Sequence, residues 1–144
     1  MQLPTGIAVA STVTKLAASD NGKVLIGASH GGVYAGYLAA KIGCRGVILN
    51  DAGVGKDRAG LGSLEYLARL GLPAATVSHM SARIGDGADT AANGVISHVN
   101  AIAAALGCTV GQTAIDCAVR MTRHPSSVAA APSANRSRPS WRRC

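Results

Sequence analysis

Short apolar runs alternate along the chain with helical segments, and this alternation constrains the fold more than any other feature. The apolar runs are 7–10, 23–27, 46–49 and 74–77, with Gly, Asn, Ser or Pro at or beside their ends. Short apolar runs between turn residues are typical of buried strands, and strands that alternate with helices form right-handed βαβ units. The sequence therefore predicts an α/β fold: a small three-layer, Rossmann-like domain with a mainly parallel sheet.

Helices are expected between and after these strands. The predicted helical segments are 33–42, 61–70, 95–106 and a final helix that begins near Thr109. Gly43 follows the first of them as a C-cap, a position that favours glycine. The segment 95–106 carries apolar residues on one helical stripe, and this interpretation places His98 inside a helix.

A change of composition near residue 125 predicts where the folded domain ends. The chain has 144 residues, of which 48% are apolar, which suits one domain with its own core. We predict a single α/β domain over 1–124. Residues 125–144 are rich in Pro, Ser, Ala and Arg without periodicity, and we expect a disordered basic tail. A reading-frame change in a GC-rich gene would produce such a tail, which would then be foreign to the protein's family.

The charge and the cysteines limit the partners. The net charge is +7, but residues 1–119 hold eight basic against seven acidic residues, so the excess lies in the arginines of the last 25 residues. We therefore expect nucleic acid to bind only weakly, through the tail.

The cysteines are Cys44, Cys108, Cys117 and Cys144, without a C-x-x-C pair or a zinc-like spacing, so no metal or other cofactor is predicted. Without a signal peptide or a long apolar run, we expect a cytoplasmic protein that does not enter membranes.

Polar residues follow three of the predicted strands and indicate where a site would lie. The first strand of this group leads into Ser29 and His30, and the second into Asn50 and Asp51. The third leads into Ser78 and His79, with Ser81, Arg83 and Asp86 beyond. In an open parallel sheet the carboxyl ends of the strands share one edge, where ligands bind. A small-molecule site is therefore predicted at this edge.

The stretch Gly27-Ala28-Ser29-His30-Gly31 matches the motif G-x-S-x-G between a predicted strand and a predicted helix. In that context the motif forms a sharp, strained turn that exposes a nucleophilic serine, and the two glycines leave it room. Residues 23–52 thus resemble the nucleophile elbow of the α/β-hydrolase family with its following helix and strand. The resemblance implies that Ser29 is the nucleophile and that the His30 N–H helps to bind an oxyanion. The family's chain order of serine, acid and histidine is met by Asp86 or Asp89 followed by His98.

A second resemblance rests on the strings ASHGG, NDAGVG, SARIGDG and ISHVN. They look like the motifs of an uncharacterised bacterial family with G-S-H-G-G loops, over about residues 20–120. This resemblance implies limits for the domain but no reaction.

The same loops also permit non-covalent binding or a purely structural role. Gly27, Gly31 and Gly32 would let backbone N–H groups approach an anion, and Asp51 lies about 20 residues on, as in nucleotide-binding folds. Ser29 could instead cap a helix, Asn50 and Asp51 could form an Asx-turn, and Asp86 could form a turn.

Taken together, these residues predict an uncharacterised, hydrolase-like enzyme for a small polar or anionic molecule; the alternative is a non-catalytic anion- or nucleotide-binding module or a fragment of a larger protein. Ser29 would be nucleophile or anchor, and His30 or His79 the base. Asp51 or Asp86 would orient that base, and Arg83 would hold an anion. The other ligand-binding candidates are Asn50, Ser81 and the three glycines Gly27, Gly31 and Gly32. A sheet this small also predicts a homo-oligomer that covers one face or edge.

Overall fold

The structure is a computed structural model that describes residues 3–125, and it contains one five-stranded sheet. The strands are β1 (Ile7–Ala10), β2 (Val24–His30), β3 (Gly46–Asn50), β4 (Ala74–Val77) and β5 (Ile96–Val99), in the spatial order β1-β2-β3-β4-β5. The first four strands pair in parallel, and β5 pairs antiparallel with β4. The predicted α/β class and the mainly parallel sheet are confirmed.

Helices cover both faces of the sheet. They are α1 (Val33–Ile42), α2 (Gly62–Arg69), α3 (Gly87–Asn93), α4 (Ala101–Ala105) and α5 (Ala114–Met121). The predicted bounds of α1 are confirmed, and Gly43 ends that helix with a left-handed φ of 91°. Helix α2 begins one residue later and ends one residue earlier than the sequence predicted.

The two cores follow the period-two alternation of the strands. Leu25, Val47 and Leu49 point to the face where α1 and α2 lie and form one apolar cluster with them. Ile26 and Ile48 point to the opposite face and pack against α3 and α5 in a second cluster. The sheet is therefore the middle of three layers, as expected.

The predicted helix over 95–106 is wrong, because this segment is a strand followed by a short helix. Residues 96–99 form β5 on the edge of the sheet, where Ile96 is buried. Asn100 interrupts the apolar stripe: its side-chain oxygen accepts from the N–H groups of Ala103 (2.9 Å) and Ala74 (3.1 Å). Its amide donates to two carbonyls of the α2 region. Strand pairing and this buried amide outweigh the helical spacing.

The strand predicted over 23–27 also differs, because β2 continues through His30 and includes Ser29. The last helix begins at Ala114 with Thr113 as its N-cap, and Thr109 instead donates its N–H to the Gln112 side chain.

The basic tail predicted over 125–144 lies, apart from Pro125, outside the described residues. Within the part of the chain that is described, no helix combines the length and apolar character needed to cross a membrane.

Candidate functional site

The carboxyl ends of β3 and β4 meet at one point of the sheet edge. Strand β3 ends in Asn50 and continues into Asp51, whose N–H donates to the Val77 carbonyl at 2.9 Å. Strand β4 ends at Val77 and continues into Ser78 and His79. Because the two strands are parallel and in register here, the residues after them lie side by side. This is the convergence that the sequence predicted.

The Asp51 carboxylate is the centre of the site. Its side chain is only 7% exposed. One oxygen, Oδ1, accepts from the N–H groups of Gly53 (2.8 Å) and His79 (3.1 Å), and Oδ2 accepts from the Ser97 hydroxyl (2.8 Å). Burial alone would raise the pKa of Asp51, but these hydrogen bonds together lower it below its ordinary value. The carboxylate is thus held ionised at the edge of the sheet.

His79 pairs with this carboxylate through its ring as well as its backbone. Its Nδ1 lies 3.3 Å from Asp51 Oδ1, and its side chain is 47% exposed. An ionised carboxylate only accepts hydrogen bonds, so this contact favours the ring proton on Nδ1, which leaves Nε2 its lone pair when the ring is neutral. We call this pair the Asp51–His79 dyad.

A β-bulge brings the Ser97 side chain to the dyad, and with it Thr76 and His98. The β4–β5 register shifts between Thr76 and Val77, which leaves Ser97 between two paired positions. The Ser97 hydroxyl then lies 3.0 Å from Thr76 Oγ1 and 3.1 Å from His98 Nδ1, besides its bond to Asp51. The sequence predicted no role for Ser97, because its segment was placed in a helix, and none for Thr76, which lies inside the predicted strand 74–77. The β-branched residues in the string VISHV were the signal for a strand.

The loop after Asp51 has an unusual backbone. Ala52, Val54, Asp57 and Arg58 all have φ between 52° and 70°, a left-handed conformation that is costly for residues other than glycine, most of all for the β-branched Val54. Such strain tends to occur at functional sites. Here the loop turns so tightly that Gly53 N–H reaches the Asp51 carboxylate.

Ser29 and His30 lie at the same edge but have other partners. The Ser29 hydroxyl accepts from Val13 N–H at 2.9 Å. The residue lies within β2 and is not among the residues with left-handed φ, so the strained turn of a nucleophile elbow is not formed. The His30 Nδ1 accepts from Gly32 N–H at 3.1 Å, and its side chain is exposed.

The glycines of the motif have packing roles. A Cβ on Gly31 would lie 2.3 Å from the Gly60 carbonyl, and one on Gly32 would lie 2.9 Å from the His30 ring. A Cβ on Gly27 would lie 3.2 Å from the Leu49 Cδ2 methyl carbon. Of these glycines, Gly31 allows the turn after β2 to approach the loop of residues 51–61, while Gly27 makes room for core leucines and Gly32 for the His30 ring.

Asn50 and Ser81 tie loops together beneath the edge. The buried Asn50 accepts from Ala52 N–H at 2.8 Å, which is the Asx-turn considered from the sequence, and donates to the Ala82 carbonyl at 3.1 Å. Ser81 accepts from Val95 N–H at 2.9 Å. Both residues hold the site's walls in place.

Asp86 and Arg83 lie in the loop before α3. Asp86 is the N-cap of α3 and accepts from Asp89 N–H at 2.9 Å. Asp89 in turn accepts from the backbone N–H of Arg83 at 2.8 Å, and the Arg83 side chain is exposed. Of the predicted acids, the structure therefore joins Asp51, and not Asp86, to a histidine by a contact.

Over residues 3–125 no group of three or more His, Cys, Asp or Glu side chains is arranged to hold a metal ion. No protein-family model matches the sequence, and no curated protein and no solved structure matches it. The geometry of the dyad and its neighbours therefore carries the functional argument.

Proposed function

We propose that the protein is an acid–base enzyme of the hydrolase type, with His79 as general base and Asp51 as the residue that orients it. The observation that carries this proposal is the 3.3 Å contact between His79 Nδ1 and the buried Asp51 carboxylate. A histidine base whose ring is held by a carboxylate is the arrangement that activates water or a hydroxyl for attack. Its position at the carboxyl edge of a parallel sheet is where α/β folds bind small molecules.

In the proposed reaction a single proton passes from water to His79 and then to the leaving group. His79 Nε2 takes a proton from a water molecule while the water oxygen forms a bond to the electrophilic carbon or phosphorus of the substrate. The bond to the leaving group breaks, and the leaving group takes the proton back from the imidazolium. The Asp51 charge stabilises that imidazolium. We favour water over Ser29 as the nucleophile, because the Ser29 hydroxyl is already engaged by Val13 N–H.

Exposed apolar side chains around the edge support a binding site for a small molecule. Exposed large apolar residues follow β2 and β4 or precede β5, all at the carboxyl edge: Val33, Tyr34, Met80, Ile84 and Val95. Met80 is 83% exposed and comes directly after His79. Apolar surface with a few convergent polar groups is typical of small-molecule sites. The exposed Arg83 supplies a cation in the loop that follows Met80, which suits a polar or anionic substrate.

The test is turnover of p-nitrophenyl acetate and p-nitrophenyl phosphate by the full chain and its variants. We expect His79→Gln and Asp51→Asn each to lower kcat/KM by about 10²–10⁴-fold on the substrate that is turned over, the usual contribution of a positioned base. Asp116→Asn, which removes an exposed carboxylate on α5, is the matched control and should keep wild-type turnover. Unchanged turnover in His79→Gln, or loss only in His30→Gln, would contradict the assignment.

The same samples distinguish the alternative function, a non-catalytic module that binds anions or nucleotides. The exposed Lys56 and Arg58 on the strained loop would favour it. A module of this kind would show no turnover, and its Tm would rise with phosphate or nucleotide, since a ligand that binds only the folded state stabilises it.

We further propose a cytoplasmic location and a homo-oligomer. Three free thiols, Cys44, Cys108 and Cys117, are buried in the two cores, which suits a reducing compartment. Sedimentation of the full chain tests the assembly.

A further inference from the structure

The proton of the Ser97 hydroxyl determines the state of a second histidine. Ser97 Oγ has one proton, and two of its neighbours, Asp51 Oδ2 at 2.8 Å and the Thr76 carbonyl at 3.3 Å, can only accept. The shorter contact is to a charged oxygen, and charge-assisted hydrogen bonds are the stronger ones. The hydroxyl therefore donates to the carboxylate, and its lone pairs must receive hydrogen bonds from the remaining neighbours.

His98 Nδ1 is one of those neighbours, at 3.1 Å from Ser97 Oγ. Since the Ser97 proton points to Asp51, Nδ1 of His98 is the donor in this contact, and Nε2 carries the lone pair when the ring is neutral. Thr76 Oγ1, at 3.0 Å from the same oxygen, donates in the same direction. Two imidazoles are thus oriented by one carboxylate: His79 directly on Oδ1, and His98 through Ser97 on Oδ2.

We propose that His98 is the second acid–base group of this site and that Ser97 is the positioning residue that couples it to Asp51. This inference rests on the proposed function and changes one of its steps: the leaving group takes its proton from His98 and not from the His79 imidazolium. His98 in its protonated form gives the Nε2 proton to the leaving group as the bond to that group breaks, while His79 takes the proton of the attacking water. Exchange with solvent then restores both rings. The substrate class that requires this is one with a poor, alkoxide-like leaving group.

His30 provides an internal reference for the test. Its Nδ1 accepts from a backbone N–H at 3.1 Å, so its neutral ring must carry the proton on Nε2, the opposite tautomer. The ¹⁵N spectrum of the histidine rings, recorded on the full chain with neutral rings, should show His98 protonated at Nδ1 and His30 protonated at Nε2. Ser97→Ala should remove the preference of His98 for Nδ1–H and leave the His79 ring signals in place, and Ser97→Thr should restore it.

A kinetic arm separates this proposal from the proposed function. On an ester with an alkyl leaving group, His98→Gln should lower kcat by about 10²-fold or more and remove the limb of the pH profile that reports the acid, whereas p-nitrophenyl acetate, whose leaving group needs no proton, should be little affected. Protonation of His98 at Nε2 in the wild type, or an unchanged His98 ring in Ser97→Ala, would overturn the proposal. Neither result depends on turnover, so failure of the proposed function is seen separately.

Discussion

Asp51 is the residue on which the whole site depends. Three hydrogen-bond donors from three segments of the chain converge on its carboxylate, from Gly53, His79 and Ser97. A buried carboxyl with fewer donors would tend to become protonated and could not hold an imidazolium. Here the donors outweigh the burial, and the pKa of Asp51 lies below its ordinary value.

The lowered pKa makes a prediction about stability against pH. A carboxyl whose pKa is lower in the folded than in the unfolded state stabilises the fold above its unfolded pKa, about 3.9 for Asp. That contribution is lost as the pH falls through the lower, folded value. Urea midpoints measured between neutral and acidic pH should therefore show wild type losing stability relative to Asp51→Asn as the solution becomes acidic. A gap between the two proteins that widens toward acid would contradict the assignment.

Buried thiols show the opposite effect of an apolar environment. Burial, with a smaller contribution from the charge of Asp20, raises the pKa of the Cys44 thiol to about 12. Cys44 is 2% exposed beneath α1. It is a small core residue.

At the scale of elements, the loop between β3 and α2 shapes the site by close backbone approach. A Cβ on Gly60 would lie 2.0 Å from the Asp51 carbonyl, and a Cβ on Gly31 would lie 2.3 Å from the Gly60 carbonyl. The turn after β2, the end of β3 and the segment Lys56–Leu61, which is kinked at the left-handed Asp57 and Arg58, thus meet backbone to backbone. Only glycine fits at 31 and 60.

Two alanine substitutions in this loop separate steric contact from backbone strain. Gly60→Ala forces the Asp51 carbonyl to move and should destabilise the protein by more than about 2 kcal/mol, beyond a typical surface substitution. Gly55→Ala meets no atom within 4 Å but has a φ of 74°, so we expect only the left-handed penalty of about 1 kcal/mol. Urea unfolding of both variants measures the difference. Equal losses would show that the approach at Gly60 is looser than described.

The parts of the fold that sequence reasoning predicted correctly are those where local pattern and tertiary packing agree. Helix α1 has an alanine-rich body and a glycine C-cap, and β4 is bounded by Pro73 and Ser78. The helix predicted over 95–106 was wrong because the apolar spacing there fits a helix. Pairing with β4 and the side chain of Asn100 instead divide the segment into a strand and a short helix. Nothing local in the sequence reveals a partner strand.

The candidate site was predicted as a place more fully than as a set of contacts. Parallel strands bring their carboxyl ends together by geometry alone, which placed Asp51 and His79 at one edge. The role of Ser97 required the β4–β5 bulge, which no pattern along the chain indicates. The motif around Ser29 matched a known spacing, but its glycines serve packing: Gly27 against Leu49 and Gly31 against the Gly60 carbonyl.

At the scale of the whole molecule, helices cover both faces of the sheet, and loops at its carboxyl edge carry the candidate site. The sheet runs β1 to β5 without reversal, with α1 and α2 on one face and α3 and α5 on the other. Its carboxyl edge carries the dyad, the strained loop and the exposed apolar residues Met80 and Ile84. The antiparallel β5 brings Ser97 and His98 back to β4 beside that edge. Because helices cover both faces of the sheet and the polar groups lie at its carboxyl edge, this edge is where a small molecule is expected to bind.

The most direct test of the Asp51–His79 dyad is the protonation of the His79 ring, read by ¹⁵N NMR in wild type and in Asp51→Asn. The dyad predicts a neutral ring with its proton on Nδ1 in wild type, opposite to that of His30, and loss of this preference in the variant. A His79 ring protonated at Nε2 in wild type, or one that does not respond to Asp51→Asn, would contradict the dyad and with it the proposed base.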